Sequence, residues 1–181
     1  GDAVNFNTSG VDLANDGTTT INTGTGAGAV TFQGAIETDG GNDDSLTVTS
    51  GTGNVTFTGS IGAGNSLGDL SVNASSGDGD ITFTSTIGDS ENAGTSGTTS
   101  IGNDATEVIY FNNTLYSFDG GQTTITAKDG LNTRISQADT TIKVNGEALR
   151  FDESALSLSS GANLTINSVS YTHLTLPTSP K

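Results

Sequence analysis

The chain has 181 residues and a mass of 18.1 kDa, and Gly, Ser, Thr and Asn make up just over half of it. With no Cys, one His and no run approaching the ~20 apolar residues of a membrane helix, composition excludes a disulfide scaffold, a zinc-finger type site, a thiol nucleophile and a helical membrane span. Residues 1–127 hold twelve Asp and three Glu without a single Lys or Arg, whereas residues 128–181 balance five basic against five acidic residues; the acidic part repels phosphate backbones, which argues against a nucleic-acid partner.

In chain order, a short run centred on phenylalanine recurs. It reads Val4-Asn5-Phe6-Asn7, Val30-Thr31-Phe32-Gln33, Val55-Thr56-Phe57-Thr58, Ile81-Thr82-Phe83-Thr84 and Ile109-Tyr110-Phe111-Asn112. The phenylalanines are 26, 25, 26 and 28 residues apart, and Leu149-Arg150-Phe151-Asp152 reads as a weaker sixth copy after a gap of 40. A second run lies between the first: Thr20-Ile21-Asn22, Leu46-Thr47-Val48-Thr49, Leu70-Ser71-Val72-Asn73, Thr124-Ile125-Thr126, Ile142-Lys143-Val144 and Leu164-Thr165-Ile166. Ser100-Ile101 reads as a degenerate copy. Both runs alternate apolar with polar residues and are rich in β-branched side chains, the pattern of a half-buried strand. Gly24–Gly28, Asp39–Asp44, Ser75–Asp80 and Gly88–Gly97 separate them as turns, because Gly and Asn accept positive φ and Asp caps its own turn.

A unit of two or three short strands per ~25 residues cannot bury its own apolar face, whereas stacked units can. The predicted fold is therefore all-β: a parallel β-helix, or β-solenoid, of about six coils rising by ~4.8 Å each. Phe6, Phe32, Phe57, Phe83 and Phe111 would then form one vertical file. A β-sandwich of hairpins is the alternative, which the regular period disfavours. Residues 1–111 read as regular coils, 112–148 as an irregular insertion or hairpin region, and 149–168 as a further coil.

The runs GAVTFQGAI, GNVTFTGSIG, LGDLSVNA and GDITFTSTIG resemble repeats of filamentous-haemagglutinin-like and autotransporter-like bacterial surface adhesins, the β-strand-repeat proteins. The resemblance covers residues 1–111 well and 149–168 weakly. It implies a secreted, extracellular stalk or adhesive filament on the bacterial cell surface, with a host or cell-surface glycan or protein as partner. Residues 169–181 hold both Pro and the lone His173 and break the composition abruptly; they resemble a translated sequencing-adapter tail and stand outside the functional reading. The missing start Met and the lack of a basic, apolar leader read as a fragment.

Candidate chemistry is sparse. Gly40-Gly41-Asn42-Asp43-Asp44-Ser45-Leu46 partly resembles the Gly-rich nonapeptide of calcium-binding β-rolls, and Gly77-Asp78-Gly79-Asp80 and Asn15-Asp16-Gly17 are similar acidic turns. Asp39, Asp43, Asp44, Asp78 and Asp80 are thus the candidate calcium ligands, against plain turn chemistry with solvated carboxylates. No other cofactor is expected. Asp43 with Asp44 and Asp78 with Asp80 are close acidic pairs of the kind a polysaccharide-cleaving β-helix enzyme would use. No Lys or Arg precedes residue 128 to hold an acidic sugar, and the expectation is a non-enzymatic protein. Thr47-x-Thr49, Thr56-x-Thr58, Thr82-x-Thr84 and Thr124-x-Thr126 place paired hydroxyls on one strand face and resemble ice-binding solenoid faces, against ordinary β-propensity. A carbohydrate- or calcium-binding module is therefore the runner-up function. Open solenoid ends are expected to self-associate.

Overall fold

The structure is a computed structural model that describes residues 1–14, 16–40, 44–74, 78–128, 132–145 and 148–169. It is an all-β solenoid in which every strand pairing is parallel. The first coil carries β1 (Val4–Phe6), β2 (Val11–Leu13) and β3 (Thr18–Asn22), and the second β4 (Val30–Phe32), β5 (Ile36–Thr38) and β6 (Ser45–Ser50). The third holds β7 (Val55–Phe57) and β8 (Leu70–Ala74), and the fourth β9 (Ile81–Phe83) and β10 (Thr99–Ile101). The fifth carries β11 (Ile109–Phe111), β12 (Leu115–Asp119) and β13 (Thr123–Thr126). The sixth carries β14 (Asn132–Ile135), β15 (Thr140–Asn145) and β16 (Leu149–Asp152). A partial seventh holds β17 (Ala155–Leu158) and β18 (Leu164–Val169).

Three faces enclose the tube. Face 1 is the seven-stranded sheet β1-β4-β7-β9-β11-β14-β17, and face 2 is the six-stranded sheet β3-β6-β8-β10-β13-β16. Face 3 runs from β2-β5 to β12-β15-β18, joined through the single bridges Ile36↔Ile61, Ile61↔Ile87 and Ile87↔Tyr116. Register is strict: Val4, Val30, Val55, Ile81 and Ile109 are successive partners, and so are the five phenylalanines. Strict alternation turns every second side chain inward, so β4, β7, β9 and β11 each bury two apolar residues and leave one on the outside.

The phenylalanine file forms as expected. Ring centroids are 4.7, 5.0, 5.0 and 5.3 Å apart from Phe6 to Phe111, with interplanar angles from 3° to 11°. The parallel stack is dictated by the backbone, because strands one coil apart impose nearly the ring-stacking distance. Tyr116 ends the stack edge-on against Phe111, with centroids 4.6 Å apart. Its hydroxyl accepts a hydrogen bond from Asn113 N–H at 2.7 Å, and burial pushes the phenol pKa well above its ordinary value.

Three expectations are corrected. The described residues of 112–148 form neither an irregular insertion nor a hairpin: β12 to β15 continue the coils in parallel register, with Ile109 opposite Thr133 and Thr123 opposite Leu149. In this coil Ile135 takes the place of phenylalanine, since the interior needs apolar volume there and not an aromatic ring. The Leu149–Asp152 run is not a sixth copy of the phenylalanine run. It is a face 2 strand, and Phe151 sits on Ile125. Ile142-Lys143-Val144 and Leu164-Thr165-Ile166 belong to face 3 and not to the second run, whereas Ser100-Ile101 does take its place on face 2.

In the second and third coils the corner between faces 1 and 3 is tight enough to require glycine, whereas the fourth coil carries Ser85 there. A Cβ on Gly59 would meet the backbone of Gly34 and Ala35 one coil away, and one on Gly34 would meet Gly10.

The file predicts a graded response. Phe57→Ala is expected to lower unfolding free energy by about 3–5 kcal/mol, because the ring is fully buried between two others. Phe6→Ala, half-buried at the end of the file, is expected to lower it clearly less. Chemical denaturation of the two variants checks the ordering, and equal losses would contradict an end-exposed file.

Candidate functional site

The acidic residues are distributed along the corners rather than gathered. Asp39 is exposed just after β5, and its N–H donates to Leu13 carbonyl at 3.1 Å. Asp44 points the opposite way, into the tube, and is only 1% exposed. Its Oδ1 accepts a hydrogen bond from Gly17 N–H at 3.2 Å, while its Oδ2 is buried without a partner. Asp43 lies outside the described residues. Asp78 is exposed, adopts a positive φ of 65° and lies 3.6 Å from Lys128 Nζ. That pair is solvated and contributes little. Asp80 is half-buried, one coil below Val108, whose N–H donates to its Oδ1 at 3.1 Å. Burial first, and then the charge of Glu107, raise its pKa above the ordinary carboxylate value. Among the described residues, no three His, Asp or Glu side chains converge where they could hold a metal ion.

Glu37, Asp69 and Asp80 share an action that was not anticipated from the sequence. They reach along the tube axis to backbone N–H groups of the next coil. Glu37 Oε2 accepts from Gly64 and Asn65 N–H at 2.9 and 2.8 Å. Asp69 Oδ1 accepts from Thr98 N–H at 2.7 Å. Asn54 Oδ1 accepts from Asp80 N–H at 3.0 Å, in the same position one coil earlier. Asn92 and Asn113 amides donate to Ala63 and Thr84 carbonyls, both at 3.2 Å. Loop amides that no strand ladder satisfies are thereby paired between coils. A signal was present: Asn54-Val55, Asp69-Leu70 and Asp80-Ile81 each place an Asx immediately before a strand. Asp89 does similar work within one turn, accepting from Glu91 and Asn92 N–H at 2.7 Å each, which holds its pKa below the ordinary value.

The outer faces are lined mostly by small polar side chains. Thr31, Thr56 and Thr82 are in register on face 1. On face 2 the file runs Thr20, Thr47, Ser71, Ser100 and Thr124 before it reaches Arg150. The threonine pairs thus fall on two different faces rather than forming one surface. Face 1 changes character at the fifth coil. There Tyr110 continues the threonine file and Arg134 follows it, its guanidinium carbon 5.5 Å from the ring centroid.

Comparison with known protein families, with curated proteins and with solved structures gives no match for this chain.

Three predictions test the acids. Asp44→Asn keeps an acceptor for Gly17 while removing a carboxylate whose second oxygen is buried and unpartnered. It is expected to raise stability by about 1–3 kcal/mol. Calcium titration is expected to leave the melting temperature of both proteins unchanged. A rise that grows with ion concentration, and is lost in Asp44→Asn, would identify a binding site instead. The raised pKa of Asp80 means that this group favours folding below the ordinary carboxylate range and loses that contribution as pH rises through its folded pKa. Asp80→Asn should therefore gain on the parent as pH rises from about 3 to about 7, and a constant difference in denaturant midpoints across that range would contradict the shift.

Proposed function

We propose that the chain is a non-enzymatic structural or adhesive segment of a large secreted bacterial surface protein. In that role it works as a rigid stalk that holds other parts, or its own outer faces, away from the cell. One observation carries this reading: five aromatic rings stacked without interruption, in the same direction as the axial side-chain hydrogen bonds. Stabilising contacts directed along one axis make a body that resists bending and shortening, and each added coil lengthens it by ~4.8 Å without a new design. The acidic, Cys-free surface is consistent with an extracellular location, where a host or cell-surface glycan or protein would be met.

A carbohydrate-binding module is the second reading, and the Tyr110–Arg134 pair favours it. This pair brings an aromatic ring and a guanidinium together on a face otherwise lined by small polar side chains. Both groups offer hydrogen bonds to sugar hydroxyls.

Single-molecule stretching tests the stalk. The chain is expected to hold its length under load and then to yield in steps of one or a few coils. Smooth extension at low force would overturn the reading. Release of reducing ends from any polysaccharide in a panel would overturn its non-enzymatic part. Glycan-array binding that is abolished in Arg134→Ala would favour the second reading.

A further inference from the structure

Tyr110 and Arg134 differ from the rest of the chain in what they leave unused. Phe32, Phe57, Phe83, Phe111, Phe118, Phe151 and Tyr116 are buried, and Phe6 stacks inward on Phe32. Tyr110 is therefore the one aromatic ring on an outer face among the described residues. Of the described Lys and Arg side chains, all but Arg134 are engaged by the chain itself. Lys128 pairs with Asp78 and Arg150 with Asp152, each at 3.6 Å, and Lys143 Nζ donates to Ser90 carbonyl at 3.5 Å. Arg134 is exposed and has neither an ion pair nor a hydrogen bond among the described residues; its contact is the Tyr110 ring, 5.5 Å from the guanidinium carbon. A ring contact holds the guanidinium without using its N–H donors, so the whole fork stays available.

The neighbouring outward file adds polar groups. Asn112 and Ser136 lie two residues beyond Tyr110 and Arg134 and so fall on the same side of face 1. The ladder still includes them, since Asn112 N–H donates to Phe83 carbonyl at 2.9 Å and Ser136 N–H to Phe111 carbonyl at 3.2 Å. Ser136 Oγ donates to Asn112 Oδ1 at 2.6 Å, which occupies the acceptor end of that amide and leaves its Nδ2 donors without a partner among the described residues. Thr82 and Thr84 continue the two files one coil earlier. Asp80 and Glu107 stand at the start of the same strands, on the other side of the Tyr110 file. Burial and then Glu107 raise the Asp80 pKa and Arg134 opposes them only weakly, so the guanidinium acts on Asp80 without pairing with it.

We infer that this step of face 1 binds an acidic saccharide, one whose units carry both a carboxylate and free hydroxyls. Arg134 takes the carboxylate through two parallel N–H···O bonds, a geometry its planar fork matches. The Tyr110 hydroxyl, the Asn112 amide and the Ser136 hydroxyl bond the sugar hydroxyls around it. Asp80 and Glu107 accept from hydroxyls on the far side and repel an anion that brings none, so the site is not a general anion patch. Charge complementarity is local here: one uncommitted fork set in an acidic surface. A saccharide lying along the tube axis reaches the Thr82 and Thr84 hydroxyls one strand spacing further on, ~4.8 Å. This inference rests on the carbohydrate-binding reading and deepens it by naming the class of sugar and the group that selects it.

Calorimetric titration of the full chain with galacturonate, glucuronate and mannuronate oligosaccharides, and with the methyl esters of each, tests the site. Esterification removes the charge and keeps the hydroxyls. At least one acid is expected to bind, and its ester to bind about tenfold or more weakly. Arg134→Ala is expected to weaken binding of that acid by about 10- to 100-fold, and Arg134→Lys to recover only part of the loss, because an ammonium cannot form the fork. Arg150→Ala removes the same charge from face 2 and is expected to bind like the parent; circular dichroism confirms that each variant is folded. Equal binding of acid and ester overturns the inference and leaves the carbohydrate-binding reading in place. Equal losses in Arg134→Ala and Arg150→Ala overturn it as well, since they report net charge alone. Binding of none of the acids also overturns it; neutral glycans that bind and are lost in Arg134→Ala would then keep the broader reading, and their failure to bind would end that reading too.

Discussion

In-register parallel pairing between coils is the constraint from which the other features follow. Once β4 lies over β1 with Val30 on Val4, each inward position becomes a file along the axis, and each file must be filled with side chains that tolerate their own copies one strand spacing away. Phenylalanine meets that requirement by stacking flat, isoleucine and valine by branched packing, and threonine by turning its hydroxyl to a neighbour. The buried Thr95 and Thr99 hydroxyls, 2.9 Å apart, illustrate the last case. The same repetition explains why so thin a core suffices. Only 31% of the residues are hydrophobic, yet the inward files from Val30 to Phe151 are almost wholly excluded from water.

The constraint also decides what the acids are for. A tube with many loops leaves many backbone amides outside the strand ladders, and these need acceptors. Carboxylates and side-chain amides at coil corners provide them one coil away, which is where Glu37, Asp69 and Asp80 act. A negative charge concentrated in residues 1–127 therefore has a structural use before any ligand is invoked. Asp44 is the departure from this pattern. It faces inward, with one oxygen paired and one without a partner, at a corner where the neighbouring coils place Gly17 and Gly68.

Function, on this view, lies in geometry more than in a constellation of reactive groups. Three outer faces and a fixed rise per coil suit the spanning role proposed for the chain. The changes at the fifth and sixth coils, where Tyr110, Arg134, Lys143 and Arg150 interrupt the small polar files, give the rod a chemical direction as well as a backbone one.

The period of 25 to 28 residues and the recurrent β-branched–polar–phenylalanine triplets were enough to specify a parallel solenoid and its aromatic file, because stacking acts on residues at equal spacing. The acidic turns were equally visible as turns. Other features were not legible. Ile135 replaces phenylalanine with no change in path, so counting phenylalanines alone turned an ordinary coil into an apparent insertion and sent Phe151 to the wrong face. Similarly, Ile142 and Leu164 look like face 2 residues in a linear reading, since three faces share one alternating pattern. Inside-or-outside for Asp39 and Asp44, and the reach of Glu37 to the next coil, were settled only by the tertiary structure. Those outcomes depend on where each corner turns, and corner geometry is set by backbone packing between coils rather than by any residue's own preference.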